Sequence, residues 1–467
     1  MSENQVNKDG DIKILFNNNK LKAFLEIVPP LGEGKVPTEE DVLKKVAELN
    51  IVDVKNDAIK EALLEKNWGE KFLIAEGRSA IDGVSAKVEF KFPSLAERLG
   101  PKIDAEGIAD YHNLGLVYNV KMGEVLAIKT PATEGTPGAD VTGKEIPAKK
   151  GVDLRIPLGK NTICDENETR VLAAIDGNVN VRDSKIVVDP VFEVNGDLDF
   201  SIGNIDFVGD VIINGNVNTG FMINAGGNIE VKGFVEGAKL LADGDIIIRG
   251  GITTGHKGLV KANGDISARF VENSQIEAGG DVIVREAIMQ SLVKAGRNVK
   301  VTDRKATILG GTVQAAEEVE SRVIGSQLAT KTTIEVGVNP HYREELYVLN
   351  KERNEKRLVM DNLNHNLQIF QRSGVNPENL TPKRKLALVK MLDNFKNIRK
   401  EVKEIEERII FLENEFNKIQ NAKVKAVDIV YPGVRITIGQ ANYLINDPIK
   451  FSAFVLDEGE VRTAALD

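Results

Sequence analysis

A short pattern, Ala-x-Gly-x or a close variant, recurs five times in one stretch of the 467-residue chain and constrains the fold more than any single residue does. The copies begin at Ala225, Ala242, Ala262, Ala278 and Ala295, spaced 17, 20, 16 and 17 residues apart. Each leads into an alternating apolar pair: Ile229 and Val231, Ile246 and Ile248, Ile266 and Ala268, Val282 and Val284, Val299 and Val301. Period two marks a strand with one buried face. Looser copies at Gly177, Gly196, Gly209 and Gly215 extend the block back to residue 176. A repeat of about 17.5 residues holds three short strands and three turns, which is one coil of a parallel β-helix. Glycine, Asn and Asp supply the corner conformations that β-branched residues avoid, and several glycines are expected at positive φ. Residues 191–339 contain no proline, as uninterrupted strand ladders require. About nine coils, stacked ~4.8 Å apart, give a rod about 43 Å long. The spacing is not a strict multiple of six, which favours the right-handed form over the left-handed hexapeptide type.

Beyond Pro340 the period changes from two to seven. Leu388, Met391, Phe395, Ile398, Val402, Ile405, Ile409, Leu412, Phe416 and Ile419 alternate spacings of three and four, the a/d seam of a coiled coil. An earlier segment keeps the same register through Leu346, Leu349, Arg353, Lys356, Met360, Leu363, Leu367 and Phe370. Residues 373–380 (SGVNPENL) break the pattern, so the two helices are expected to fold back as an antiparallel hairpin. Only Gly374 lies between residues 338 and 432, whereas 23 of the 42 glycines lie between Gly177 and Gly337, so two architectures meet near residue 340.

The expected organisation is therefore multidomain. An N-terminal α/β region spans 1–175, with a sub-boundary near 95–107, and the parallel β-helix spans 176–340. The coiled-coil hairpin occupies 341–422, and C-terminal strands at 423–467 return to cover the open end of the β-helix. In the N-terminal region, strands are expected at 12–16, 22–28, 72–75 and 86–92, with a helix near 58–64. Another helix follows Thr38, with Asp41 completing a capping box and Val42, Leu43 and Val46 facing inward.

Charge and composition narrow the function classes. The net charge of −9 gives no global attraction to nucleic acid or anionic lipid. No window holds the roughly 18 apolar residues a membrane span needs, and the first residues lack a signal-peptide core, so a cytoplasmic location without membrane insertion is expected. One cysteine, Cys164, and four scattered histidines call for no multi-cysteine zinc site and no metal cluster. Residues 138–145 (GADVTGKE) follow a phosphate-loop pattern until Glu145, whose charge repels phosphate where a magnesium-binding hydroxyl is needed; a glycine turn is the simpler reading. Asp197, Asp210, Asp245, Asp265 and Asp281 recur after glycine as a carboxylate ladder that calcium could occupy, but the same spacing suits turn-capping aspartates. His256 is the one histidine of the repeats and a general base only if a partner stands near it; a solvated turn residue is the alternative. No catalytic residue, cofactor or metal is assigned. The candidate interaction residues are Arg353 and Lys356, basic interruptions of the seam for which Glu401, Glu404 or Glu407 are available partners, and Lys383, Arg384 and Lys385 at the hairpin tip.

Residues 116–127 (LVYNVKMGEVLA), 130–140 (TPATEGTPGAD), 203–207 (GNIDF), 268–273 (ARFVEN) and 431–439 (YPGVRITIG) resemble the flagellar assembly protein A family, formerly a domain of unknown function, in order along nearly the whole chain. Residues 77–83 (GRSAIDG) depart from it, since a proline is usual at Ser79 or Ala80. The resemblance implies a cytoplasmic bacterial protein with an N-terminal domain, a β-helix and a coiled coil, associated with building flagella. Together these readings favour a non-enzymatic scaffold that recruits protein partners through the coiled coil or the N-terminal domain, with homo-oligomerisation open. Two other classes stay open: a β-helix enzyme acting on a polysaccharide or acyl donor, and an RNA-binding protein using the N-terminal domain. Only 24 of the residues are aromatic, few of them in the repeats, which gives a sugar little to stack on.

Overall fold

A computed structural model of the chain describes residues 7–98, 100, 102–103, 109–110, 112–255, 257–372, 381–418 and 421–466. The chain divides into two compact units. One comprises residues 1–92, 122–174 and 181–187, and the other 93–121, 175–180 and 188–467. No helix among the described residues is long and apolar enough to cross a membrane.

The first unit is built from strands with few helices. Asp11–Phe16, Lys22–Val28 and Lys71–Glu76 form an antiparallel sheet. Helices α1 (Glu39–Glu48) and α2 (Asn56–Ala62) pack on it through Val42, Val46, Ile59 and Ala62. Thr38 caps α1, and Asp41 returns the bond to the Thr38 amide, completing the expected box. Leu43 differs from expectation: it is 40% exposed, because Val42 and Val46, four residues apart, define the buried stripe. A second antiparallel sheet joins Thr162–Cys164, Arg170–Ala173, Val125–Thr130 and Lys87–Phe90.

The second unit holds a parallel β-solenoid of about eight turns between residues 191 and 335. Its first strand is Val191–Val194, paired parallel with Asp210–Ile213. The expected start at 176 is therefore too early, since Gly177 and Asn178 pair antiparallel with Val120 and Asn119, outside the coil stack. Vertical registers explain the repeat. Val211, Ile229, Ile246, Ile266, Val282, Val299, Val319 and Val424 lie one above another, every one buried. The alanine of each copy stacks likewise, in the column Phe207, Ala225, Ala242, Ala262, Ala278, Ala295 and Ala315. From Ala225 upward a small side chain fits there, since each alanine is the last inward residue before a corner; Phe207 fills the same position in the first coil.

After Thr332–Val336 the chain leaves the stack as two long helices packed on each other, α4 (Pro340–Arg372) and α5 (Pro382–Lys418); the break expected at 373–380 lies outside the described residues. The only other helix in this unit among the described residues is the four-residue α3 (Leu95–Arg98). Asn339 caps α4 by accepting the His341 amide on its side chain, with Pro340 at the first helical position. The chain then resumes the stack: Lys423–Val430 pairs parallel with Glu318–Ile324 and Val434–Ile438 with Thr332–Val336. Ala441–Leu444, Ile449–Asp457 and Glu460–Ala465 follow in antiparallel pairing, with Phe454 fully buried beside Val424.

Candidate functional site

The helix pair carries the five residues singled out in the sequence. In α5 the least exposed apolar positions are Leu388, Met391, Phe395, Ile398, Val402, Ile405, Ile409, Leu412 and Phe416, and in α4 the less exposed positions include the eight seam positions from Leu346 to Phe370. Burial is uneven, however. Val402, Ile405, Ile409 and Leu412, in the half of α5 nearest the solenoid, are buried, as is Leu367 of α4, whereas the other seam residues are half-buried. Ile419 lies outside the described residues.

Lys356 and Arg353 both sit on the seam and are met differently. Lys356 Nζ is 2.6 Å from Glu401 Oε2 and 3.3 Å from Glu352 Oε1. Its hydrogen bond to Glu401, with the nearby carboxylate charges, holds the ammonium above its ordinary pKa despite partial desolvation. Glu404 and Glu407, the other available partners, instead pair with Lys400 and Lys403 on their own helix. Arg353 Nε is buried without a hydrogen-bond acceptor among the described residues. Two further pairs cross the helices: Arg357 with Glu406, and Arg408 with both carboxylate oxygens of Glu345 at 2.7 and 2.9 Å. The Arg408 guanidinium also lies 4.9 Å from the centre of the Phe411 ring. A groove of about 610 Å³ opens along the pair between Arg357, Met360, Phe395, Arg399, Val402 and Glu406.

Lys383 and Lys385 are exposed in the first turn of α5, and neither has an ion pair among the described residues. Arg384 lies between them in the same turn. Large apolar side chains surround this turn in sequence and are also exposed: Leu386, Val389 and Leu392 of α5, with Ile369 near the end of α4.

At the opposite end of the pair, a clasp that the sequence did not disclose fastens α4 to the solenoid. Lys294, 8% exposed, forms an ion pair with Glu344 of α4 and stands 3.6 Å from Glu277. His341 Nε2 donates to the Ala278 carbonyl at 2.8 Å, and Arg343 meets Glu335 at 2.9 Å. Burial opposes the charge on Glu277, but the Gln275 hydrogen bond and the charges of Lys294, Lys261 and His341 outweigh it and hold the carboxyl below its ordinary value.

The recurring aspartates have a structural explanation. Asp210 Oδ1 accepts the amide of Asn228, Asn228 Oδ1 that of Asp245, Asp245 Oδ1 that of Asp265, Asp265 Oδ1 that of Asp281, and Asp281 Oδ1 that of Asn298, at 2.7–3.1 Å. Asp197 does the same for Asn216 in a shorter parallel row. Each side chain thus satisfies the amide one coil further on. Arg297 stands where the other copies have glycine and lays its guanidinium against Asp265 and Asp281 at 3.0 and 3.3 Å, which neutralises part of the row. In residues 138–145, Asp140 Oδ1 accepts the Thr142 and Lys144 amides and the Thr142 hydroxyl, a side-chain-closed turn between two short strands. His256 lies outside the described residues.

A β-solenoid carrying an inserted pair of long, ion-paired helices is the class these features define. The chain belongs to the flagellar assembly protein A family: the Flagellar Assembly Protein A beta solenoid domain matches residues 190–461, and the Flagellar Assembly Protein A N-terminal region matches residues 12–184. Comparison with curated proteins and with solved structures returns no match.

Proposed function

We propose that this protein is a non-enzymatic cytoplasmic scaffold for flagellar assembly, in which a right-handed β-helix presents an antiparallel coiled-coil hairpin to an acidic protein partner. Family membership supports the flagellar context. Right-handedness follows from the strong bias of parallel crossovers toward that hand. The register of seam positions and the cross-helix pairs Lys356–Glu401, Arg357–Glu406 and Arg408–Glu345 support the coiled coil. The last three antiparallel strands serve as the cap, because they place Phe454 over the end of the valine and isoleucine column.

The observation that carries the recruiting role is the contrast between the hairpin's two ends. Toward the solenoid Val402, Ile405, Ile409 and Leu412 of α5 are buried, and Arg408, Arg357 and Lys356 have cross-helix carboxylate partners. At the far end Lys383 and Lys385 are unpaired among the described residues, beside exposed Ile369, Leu386, Val389 and Leu392. Cations beside apolar side chains, on a chain whose overall charge is negative, suit an acidic amphipathic segment. The test is a pull-down from the native cell with wild-type protein and with Lys383→Glu/Arg384→Glu/Lys385→Glu, followed by mass spectrometry. Loss of specific partners at unchanged helicity supports the reading. Full retention moves recruitment to the N-terminal unit.

A further inference from the structure

One coil of the solenoid is longer than its neighbours. Ala242 to Ala262 spans 20 residues, against 17 and 16 on either side. The register locates the surplus: Glu236 pairs with Thr253 and Lys239 with Leu259, so two residues of one coil face five of the next, at 254–258. In a solenoid such an insertion must leave the wall as a loop, and insertions confined to one face commonly build a binding site.

The loop returns on itself, with the Gly258 amide donating to the Thr254 carbonyl at 3.2 Å and Gly255 at φ +60. Thr254, Gly255 and Lys257 form one side of a pocket of about 660 Å³ whose other walls are Thr219 and Gly220, Gly237, Met222 and Lys239. That volume lies within the roughly 300–1,000 Å³ typical of small-molecule sites and exceeds what a bare oxyanion fills. Two ammonium groups line the pocket, Lys239 and Lys257, and among the described residues no carboxylate does. Neither lysine has an ion pair among the described residues. By contrast, the groove on the helix pair contains Asp361 and Glu406. Thr254 adds an independent sign of a missing ligand: it is 2% exposed, lines the pocket, and its Oγ1 is buried with no hydrogen-bond partner among the described residues. Such a hydroxyl normally finds a partner.

We propose that this pocket binds a small phosphate-bearing molecule, with Lys239 and Lys257 holding the phosphoryl oxygens, Thr254 supplying a hydroxyl donor, and Met222 contacting the organic part. Two point charges that are not otherwise paired match a dianion better than a monoanionic carboxylate. The site is separate from the hairpin, so its failure leaves the scaffold reading untouched.

Equilibrium dialysis and ³¹P line broadening with phenyl phosphate on the full chain test it, with benzoate as the carboxylate counterpart. One equivalent of phenyl phosphate should bind saturably below ~10 mM, at least about tenfold tighter than benzoate. Lys239→Gln/Lys257→Gln should weaken it by at least about tenfold, Thr254→Val by a smaller factor, and Lys232→Gln, a solenoid lysine outside the pocket, should not change it. Melting curves check that each variant folds; Lys257→Gln, on the loop, serves alone should the double variant be unstable. Absence of saturable binding, equal binding of benzoate, or binding indifferent to the lysine changes would each overturn the proposal.

Discussion

Gly264 and Gly280 show what a single residue does in this solenoid, and the sequence points to the right positions for the wrong reason. Corner glycines suggest positive φ, yet neither is among the residues with positive φ. What excludes a side chain is proximity: a Cβ on Gly264 would stand 2.0 Å from Asp245 Oδ1, and one on Gly280 the same distance from Asp265 Oδ1. The glycine makes room for the carboxylate that satisfies the next amide, so Gly and Asp form one device repeated up the stack. Recurrence of both residues was legible in the sequence; their contact across coils was not, because it links residues 19 positions apart at Gly264 and 15 at Gly280. Gly280→Ala should therefore cost ~1–3 kcal/mol in urea unfolding. Asp265→Ala, which removes the obstructing oxygen together with its bonds from the Asp281 amide and the Arg297 guanidinium, should cost ~1–2 kcal/mol. In the double variant the two should fall short of their sum by ~1 kcal/mol or more. Strict additivity would return the explanation to backbone conformation.

Among the elements, the helix pair was the most legible, since a spacing of three and four fixes which residues face the partner helix without any tertiary information. On that spacing Arg353 and Lys356 fall in the same row as the apolar residues, and both are half-buried. The spacing did not say how each is satisfied. Lys356 reaches Glu401 and remains partly wet, a solvent-screened pair of little net worth, so Lys356→Leu should leave the helix melting nearly unchanged. Arg353 Nε, buried without an acceptor, predicts the opposite: Arg353→Leu should raise the melting temperature followed by circular dichroism at 222 nm, and a lowered one would mean that the guanidinium stem packs the seam. The clasp at Lys294 had no counterpart in the sequence. Its strand alternation marks it as an ordinary outward lysine, and only the overlying α4 buries it. Glu277 adds a pH dependence. Its carboxyl ionises below its unfolded value, ordinarily 4.5, so the clasp's contribution is complete above that pH and is lost as pH falls through the lower folded value. Hydrogen exchange in the first turn of α4 should accelerate, relative to the solenoid strands, over that acid range. Glu277→Gln should flatten the dependence; an identical profile in the variant would remove Glu277 from the clasp.

For the whole molecule, the helix pair is an insertion into a solenoid that is otherwise continuous. The point of departure and the point of return touch: a Cβ on Gly337 would lie 3.4 Å from that of Ala422, and the Gly337 and Lys423 amides donate to the neighbouring carbonyls of Ala316 and Glu317. The sequence already implied this, since Pro340 ends one period and strand-like alternation resumes after residue 422. Ala422 itself is buried in the solenoid core and must be kept. Replacing residues 341–420 by a short Gly-Ser bridge therefore removes two long helices without breaking a solenoid register. A bridge of a few residues adds little closure entropy, because that grows only logarithmically with loop length. The truncated protein should lose its helical signal and retain a single cooperative β-sheet melting transition, lowered only by the loss of the Lys294 clasp and of the cover α4 gives the coils beneath it. If the β transition disappears with the helices, the solenoid and the helix pair form one cooperative unit, and the hairpin is part of the fold's stability rather than an arm the fold presents.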